Sequence, residues 1–64
     1  MVTPRKLGQR VKRQGFLPLP TNGGSHRKYK HPDVAALIVI PWHAGDVSIG
    51  VLRNAEKIAG VKLR

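Results

Sequence analysis

Phe16-Leu17-Pro18-Leu19-Pro20-Thr21-Asn22-Gly23-Gly24-Ser25-His26-Arg27-Lys28-Tyr29-Lys30-His31-Pro32-Asp33 is the stretch on which the fold turns. Residues 16–20 read as extended, but two prolines at alternate positions remove two backbone donors, which confines this strand to an edge or an irregular stretch. Residues 21–25 are dense in turn chemistry. Residues 26–30 are extended and polar, and His31-Pro32-Asp33 breaks the chain again. The β-branched run Leu37-Ile38-Val39-Ile40 that follows reads as a buried central strand. Three strands joined by short turns predict an antiparallel meander.

A helix is predicted on each side of this meander. Thr3 is the expected N-cap of the first, and Pro4 suits its first turn, where a missing N–H costs nothing. Gly15 supplies the left-handed position that ends it. Leu7 and Val11 form a narrow apolar ridge, while Arg5, Lys6, Arg10, Lys12 and Arg13 cover most of the remaining circumference. Gly8 weakens this helix by roughly 1 kcal/mol relative to alanine, so tertiary packing must hold it. In the second helix Ser48 is the expected N-cap and Gly60 the stop. Val51, Leu52, Ala55, Ile58 and Ala59 share one side, with Arg53, Asn54 and Lys57 opposite. The fold class is therefore α+β, in the order α-β-β-β-α, with both helices on one face of the sheet.

Sixty-four residues are expected to make one domain, spanning residues 1–64. A chain this short buries only about 60% of the surface its unfolded form exposes. Cysteine is absent, which removes a disulfide framework, a thiolate zinc site and a cysteine nucleophile, and fits a reducing cytoplasm. Twelve lysines and arginines oppose three acidic residues, for a formal charge of +9. Such a surface points to a polyanionic partner, nucleic acid first. A membrane surface is the second candidate, but no apolar run approaches the ~20 residues of a spanning helix. Met1-Val2-Thr3-Pro4-Arg5-Lys6 also lacks the apolar core of a secretory signal.

The chemistry centres on histidine. His26 and His31 lie five apart on one predicted strand, so they point to opposite faces and cannot share an ion. Asp33 and Asp46 both sit in turns, leaving no close carboxylate to complete a ligand set; no metal and no cofactor is expected. His26 follows Gly24 and Ser25 as the chain enters a strand. Glycines let a backbone approach phosphate closely, and successive N–H groups in such a turn form an anion-binding concavity. Imidazole titrates near neutral pH and can exchange a proton with a ribose hydroxyl. Lys28 and Lys30 share a strand face with His26 and would neutralise charge developing at phosphorus. Spacing alone supports a nucleic-acid-binding domain with a candidate acid–base histidine.

The order of the motifs carries the reading further. Val11-Lys12-Arg13-Gln14-Gly15-Phe16 closes the first helix, followed by Gly24-Ser25-His26, Tyr29, and His31-Pro32-Asp33. Then come Val39-Ile40-Pro41 with His43, and Gly50 with Leu52-Arg53. This ordered set, over roughly residues 4 to 61, resembles the HicA (YcfA-like) mRNA interferase toxins of toxin–antitoxin pairs. The resemblance implies a fold similar to the double-stranded-RNA-binding domain, ribonuclease activity on mRNA without a metal, and growth arrest by the free toxin. It implies that His26 is catalytic, and that a HicB-type antitoxin masks the active face. In two places the chain departs from the family pattern. Val34-Ala35-Ala36 follows Asp33 where the family commonly has a glycine after His-Pro-Asp, and the turn is one residue longer, which loosens the expected hairpin. Helix one also carries Gly8 and few apolar residues, which suggests lower stability.

Phosphate contacts are expected from Arg5, Lys6, Arg10, Lys12 and Arg13, and from Gly24, Ser25, Lys28 and Lys30 at the turn and strand. A lysine, the Tyr29 hydroxyl or water would serve as the second proton-transfer group. Tyr29 and Trp42 are the aromatic candidates for base stacking, with a core role favoured for Tyr29. A structural hydrogen bond is the expected role of His43, and Arg53 would contact phosphate or cap the fold. The rival reading is a non-catalytic RNA-binding module of the same fold, which explains charge and architecture but gives His26 no task. A repressor-type DNA-binding protein fits less well, because two helices separated by three strands do not make a helix-turn-helix.

Overall fold

The structure, a computed structural model, describes residues 2–20 and 25–64. Helix α1 spans Pro4–Arg13, strands β1, β2 and β3 span Leu17–Pro18, His26–Lys30 and Ile38–Pro41, and helix α2 spans Ile49–Ala59. The sheet order is β1-β2-β3, antiparallel throughout, with Leu17 opposite Lys30 and Tyr29 opposite Ile38. This is the α-β-β-β-α meander read from the sequence.

The helix ends follow from their capping residues. The Thr3 hydroxyl accepts from the Lys6 N–H at 3.2 Å, and the Ser48 hydroxyl from the Val51 N–H at the same distance. At the end of α1, Gly15 takes φ +92°; its N–H reaches the Lys12 carbonyl and the Phe16 N–H reaches the Val11 carbonyl. That pair of bonds is the Schellman closure, and it delivers buried Phe16 beside buried Val11. Gly60, at φ +75°, ends α2.

Both helices cover one face. Leu7 and Val11 of α1, Leu52 and Ala55 of α2, and Tyr29, Ile38 and Ile40 of the sheet form one apolar cluster with Phe16. Arg53, Asn54 and Lys57 of α2 remain exposed, as their side of the helix requires. The chain ends are drawn in as well. Val2 is buried and its carbonyl accepts from the Val47 N–H. Leu63 is buried, its N–H donating to Glu56 and its carbonyl accepting from Arg10. This tail lies beyond the Gly60 stop, where the sequence reading ended.

The position of β3 corrects one expectation. The apolar run at residues 37–40 read as a central strand, yet β3 is an edge and the central strand is the polar β2. Among the described residues only one face of the sheet is covered, so burial alternates: Ile38 and Ile40 are buried, while Val39 is 37% exposed. An unbroken β-branched run cannot by itself distinguish one covered face from two.

Gly8, which the sequence marks as a weak point of α1 to be held by tertiary packing, is packed against the sheet side of the helix. A Cβ built there would lie 2.6 Å from the Tyr29 hydroxyl oxygen and 3.3 Å from the Trp42 ring. The missing side chain lets α1 settle against the sheet.

Candidate nucleic-acid interface

Strand alternation and the register divide the site residues between two sides of the molecule. Tyr29 points under the helices, so His26, Lys28 and Lys30 face the uncovered side of the sheet. All three are exposed, and Leu17 and Val39 lie among them through the pairs Leu17–Lys30 and Lys28–Val39. Ser25 is exposed too, and its carbonyl accepts from the Trp42 N–H, which holds the start of β2 to the end of β3. Gly24 lies outside the described residues.

The α1 cations occupy a different surface. Arg5, Lys6, Lys12 and Arg13 are exposed on the helix layer, on the far side of the sheet from Lys28 and Lys30. Arg10 is half-buried, with its guanidinium spent partly on the Leu63 carbonyl at 2.8 Å. The nine described residues among the expected site residues are thus distributed over two faces. Among the described residues the one ion pair is Arg64–Glu56 at 3.2 Å, so the other cations stand without a carboxylate partner there.

The remaining histidines have local tasks. His31 is half-buried against Phe16, ring centroids 5.2 Å apart, and a Cβ on Gly15 would meet its ring at 2.9 Å. Its Nδ1 accepts from the Asp33 N–H at 3.0 Å, pinning the turn after β2. The ring of His43 is exposed, with Nδ1 2.8 Å from the Ala44 carbonyl; a carbonyl only accepts, so Nδ1 is the donor. Among the described residues no three of His, Asp and Glu come together as a metal-binding group, and no helix is long and apolar enough to cross a membrane.

One arrangement was not legible in the sequence. The Arg27 guanidinium lies 4.2 Å from the centroid of the Trp42 ring, a cation–π contact. Arg27 shares the covered side with Tyr29, whose phenol is pushed above its ordinary value by burial, with Arg27 pulling the other way. Alternation from Tyr29 could have placed Arg27 on that side. The partner could not be foreseen, since Trp42 belongs to a loop. Beside this ring a cleft of about 340 Å³ is lined by Thr3, Pro4, Arg5, Trp42, His43 and Gly45.

Residues 4–61 match the family described as HicA toxin of bacterial toxin-antitoxin. The chain is a member of the HicA toxin family. A solved chain from a structure entitled "HicA3 and HicB3 toxin-antitoxin complex" is similar throughout, at 38% identity and a TM-score of 0.73. The likeness covers 94% of this chain and 96% of that one. No curated protein matches the sequence. Membership of the HicA family accounts for the fold and for the order of motifs from Val11 to Arg53.

Proposed function

We propose that residues 1–64 act as a single toxin domain, a cytoplasmic endoribonuclease that cuts mRNA without a metal and uses His26 for proton transfer. The observation that carries this reading is the exposed His26 on the open sheet face, flanked on that face by Lys28 and Lys30 in a protein of the HicA family. In the scheme, neutral His26 takes the proton from a ribose 2′-hydroxyl as its oxygen bonds to the adjacent phosphorus. The bond from phosphorus to the 5′-oxygen then breaks, and that oxygen leaves with a proton from a second group. One fragment ends in a 2′,3′-cyclic phosphate and the other in a 5′-hydroxyl.

The second group is narrowed by the fold. Tyr29 is buried and points to the opposite side of β2 from His26, so its hydroxyl is ill placed. Lys28, two residues along the same face, or water is left. Lys28 and Lys30 also stand where cations would offset charge building on the phosphorane oxygens. Further phosphate contacts come from Ser25 and Gly24 at the turn and from Arg5, Lys6, Arg10, Lys12 and Arg13 of α1. A HicB-type antitoxin is the proposed protein partner, supported by the solved HicA3–HicB3 complex.

The test is His26→Ala. The side chain is exposed, so its loss leaves the core intact. The variant should keep its thermal midpoint and its RNA affinity, and lose RNA cleavage and growth inhibition by at least ~100-fold. An unchanged cleavage rate removes His26 from the mechanism. A protein that binds RNA but never cuts it would be the non-catalytic module.

A further inference from the structure

We propose that the cleft between the start of α1 and the end of β3 is a nucleotide subsite, in which a base of the single-stranded RNA substrate stacks at Trp42 while Arg5 holds its phosphate. This rests on the ribonuclease reading above and adds where the strand is gripped.

The chemistry of the walls selects the ligand. At about 340 Å³ the cleft falls at the low end of small-ligand sites, which begin near 300 Å³. Its lining joins a flat aromatic ring to one guanidinium donor, Arg5, and to the His43 ring, with no carboxylate among them. Flat ring plus anion is the description of a nucleotide. The Trp42 ring is held in advance: Arg27 lies over it at 4.2 Å, its rim lies over the bare side of Gly8, and the residue's backbone N–H is tied to the Ser25 carbonyl. A ring so fixed loses little entropy when a base stacks on it. His43 spends its Nδ1 proton on the Ala44 carbonyl, so the other nitrogen of the neutral ring is an acceptor, suited to a ribose hydroxyl or a base N–H. Arg5 is exposed and stands outside any ion pair among the described residues.

Position links the cleft to the proposed chemistry. His26 pairs across the sheet with Pro41, and Trp42 follows directly. The His26 and Trp42 backbones are therefore within about 10 Å of each other. An RNA strand rounding this end of the sheet reaches both. The cleft would thus fix the register of the strand on the enzyme.

Trp42 is the sole tryptophan, so its emission reports on the cleft alone. His26→Ala protein is titrated with a short single-stranded RNA, following tryptophan fluorescence and the anisotropy of end-labelled RNA together. Saturable quenching should share its midpoint with the anisotropy change, and adding Arg5→Ala should weaken both. Inorganic phosphate alone should leave the emission unchanged. In the catalytically intact protein Trp42→Leu should raise KM roughly 5- to 100-fold, the range for losing one stacked base. Trp42→Phe should recover part of the loss, with kcat within about threefold in both cases. Thermal melts establish that the variants fold; Arg5→Ala, at an exposed position, tests the cleft independently of packing. Unquenched emission on RNA binding, quenching by phosphate alone, or KM unchanged in Arg5→Ala and Trp42→Leu overturns the subsite. Cleavage would then persist, and the functional reading with it. If the native protein neither binds nor cuts RNA, both fall.

Discussion

Gly8 shows how one absent side chain sets the spacing of a layer. Its Cα hydrogen faces the Tyr29 hydroxyl and the Trp42 ring, and the 2.6 Å approach of a Cβ to the hydroxyl is closer than real contacts allow. Gly8→Ala gains about 1 kcal/mol of helix propensity. Forcing atoms into a packed interface costs about 1–3 kcal/mol. The second effect wins, so Gly8→Ala should destabilise by up to about 2 kcal/mol in denaturant unfolding. In a Tyr29→Phe background the obstructing oxygen is gone, and the same substitution should cost less. Equal costs in the two backgrounds would show that the Tyr29 hydroxyl is not what Gly8 accommodates.

At the scale of elements, the C-terminal tail is closed by one carboxylate. Glu56 of α2 accepts from the Arg64 guanidinium and from the Leu63 N–H, and these bonds, the Arg64 bond foremost, hold its pKa below the ordinary glutamate value. A lowered folded pKa contributes stability that is fully present above the unfolded value. That contribution is lost as pH falls through the lowered folded value. Thermal midpoints should therefore drop on acidification below the ordinary glutamate range, and Glu56→Gln should flatten that part of the profile. An identical acid profile in the variant would mean the clamp contributes nothing.

Much of this element structure was legible in advance. Thr3, Gly15, Ser48 and Gly60 mark helix ends because capping and left-handed turns are local demands on single residues. Pro18 and Pro20 placed β1 at an edge for the same kind of reason. The rank of β3 within the sheet was not legible, since edge or centre depends on which faces are covered. His26 could be singled out from its turn and strand phase, and Lys28 and Lys30 placed with it. The separation of the α1 cations from that face, the half-burial of Arg10 and the Arg27–Trp42 stack are consequences of tertiary packing, which period and composition do not encode.

For the whole molecule, charge is the dominant quantity. A formal charge of +9 on 64 residues, with Glu56 neutralised by Arg64, leaves cations on both broad faces. RNA affinity should fall linearly on logarithmic axes as salt rises, with a slope of about −0.7 per phosphate neutralised on a single strand. Replacing Lys28 and Lys30 by alanine should flatten that slope by about one contact each if the strand crosses the open face. The same replacement at Lys12 and Arg13 tests the helix face, and a flat response to salt would exclude both.

The central claim is that His26 moves a proton in the attack of a ribose hydroxyl on the neighbouring phosphorus. Mapping the ends of RNA fragments made by the native protein and by His26→Ala tests it most directly. The native digest should contain 5′-hydroxyl ends paired with 2′,3′-cyclic or 3′-phosphate ends, and the variant should yield no such fragments. Fragments ending in a 3′-hydroxyl and a 5′-phosphate, or the same cyclic products at the same rate from His26→Ala, would contradict it.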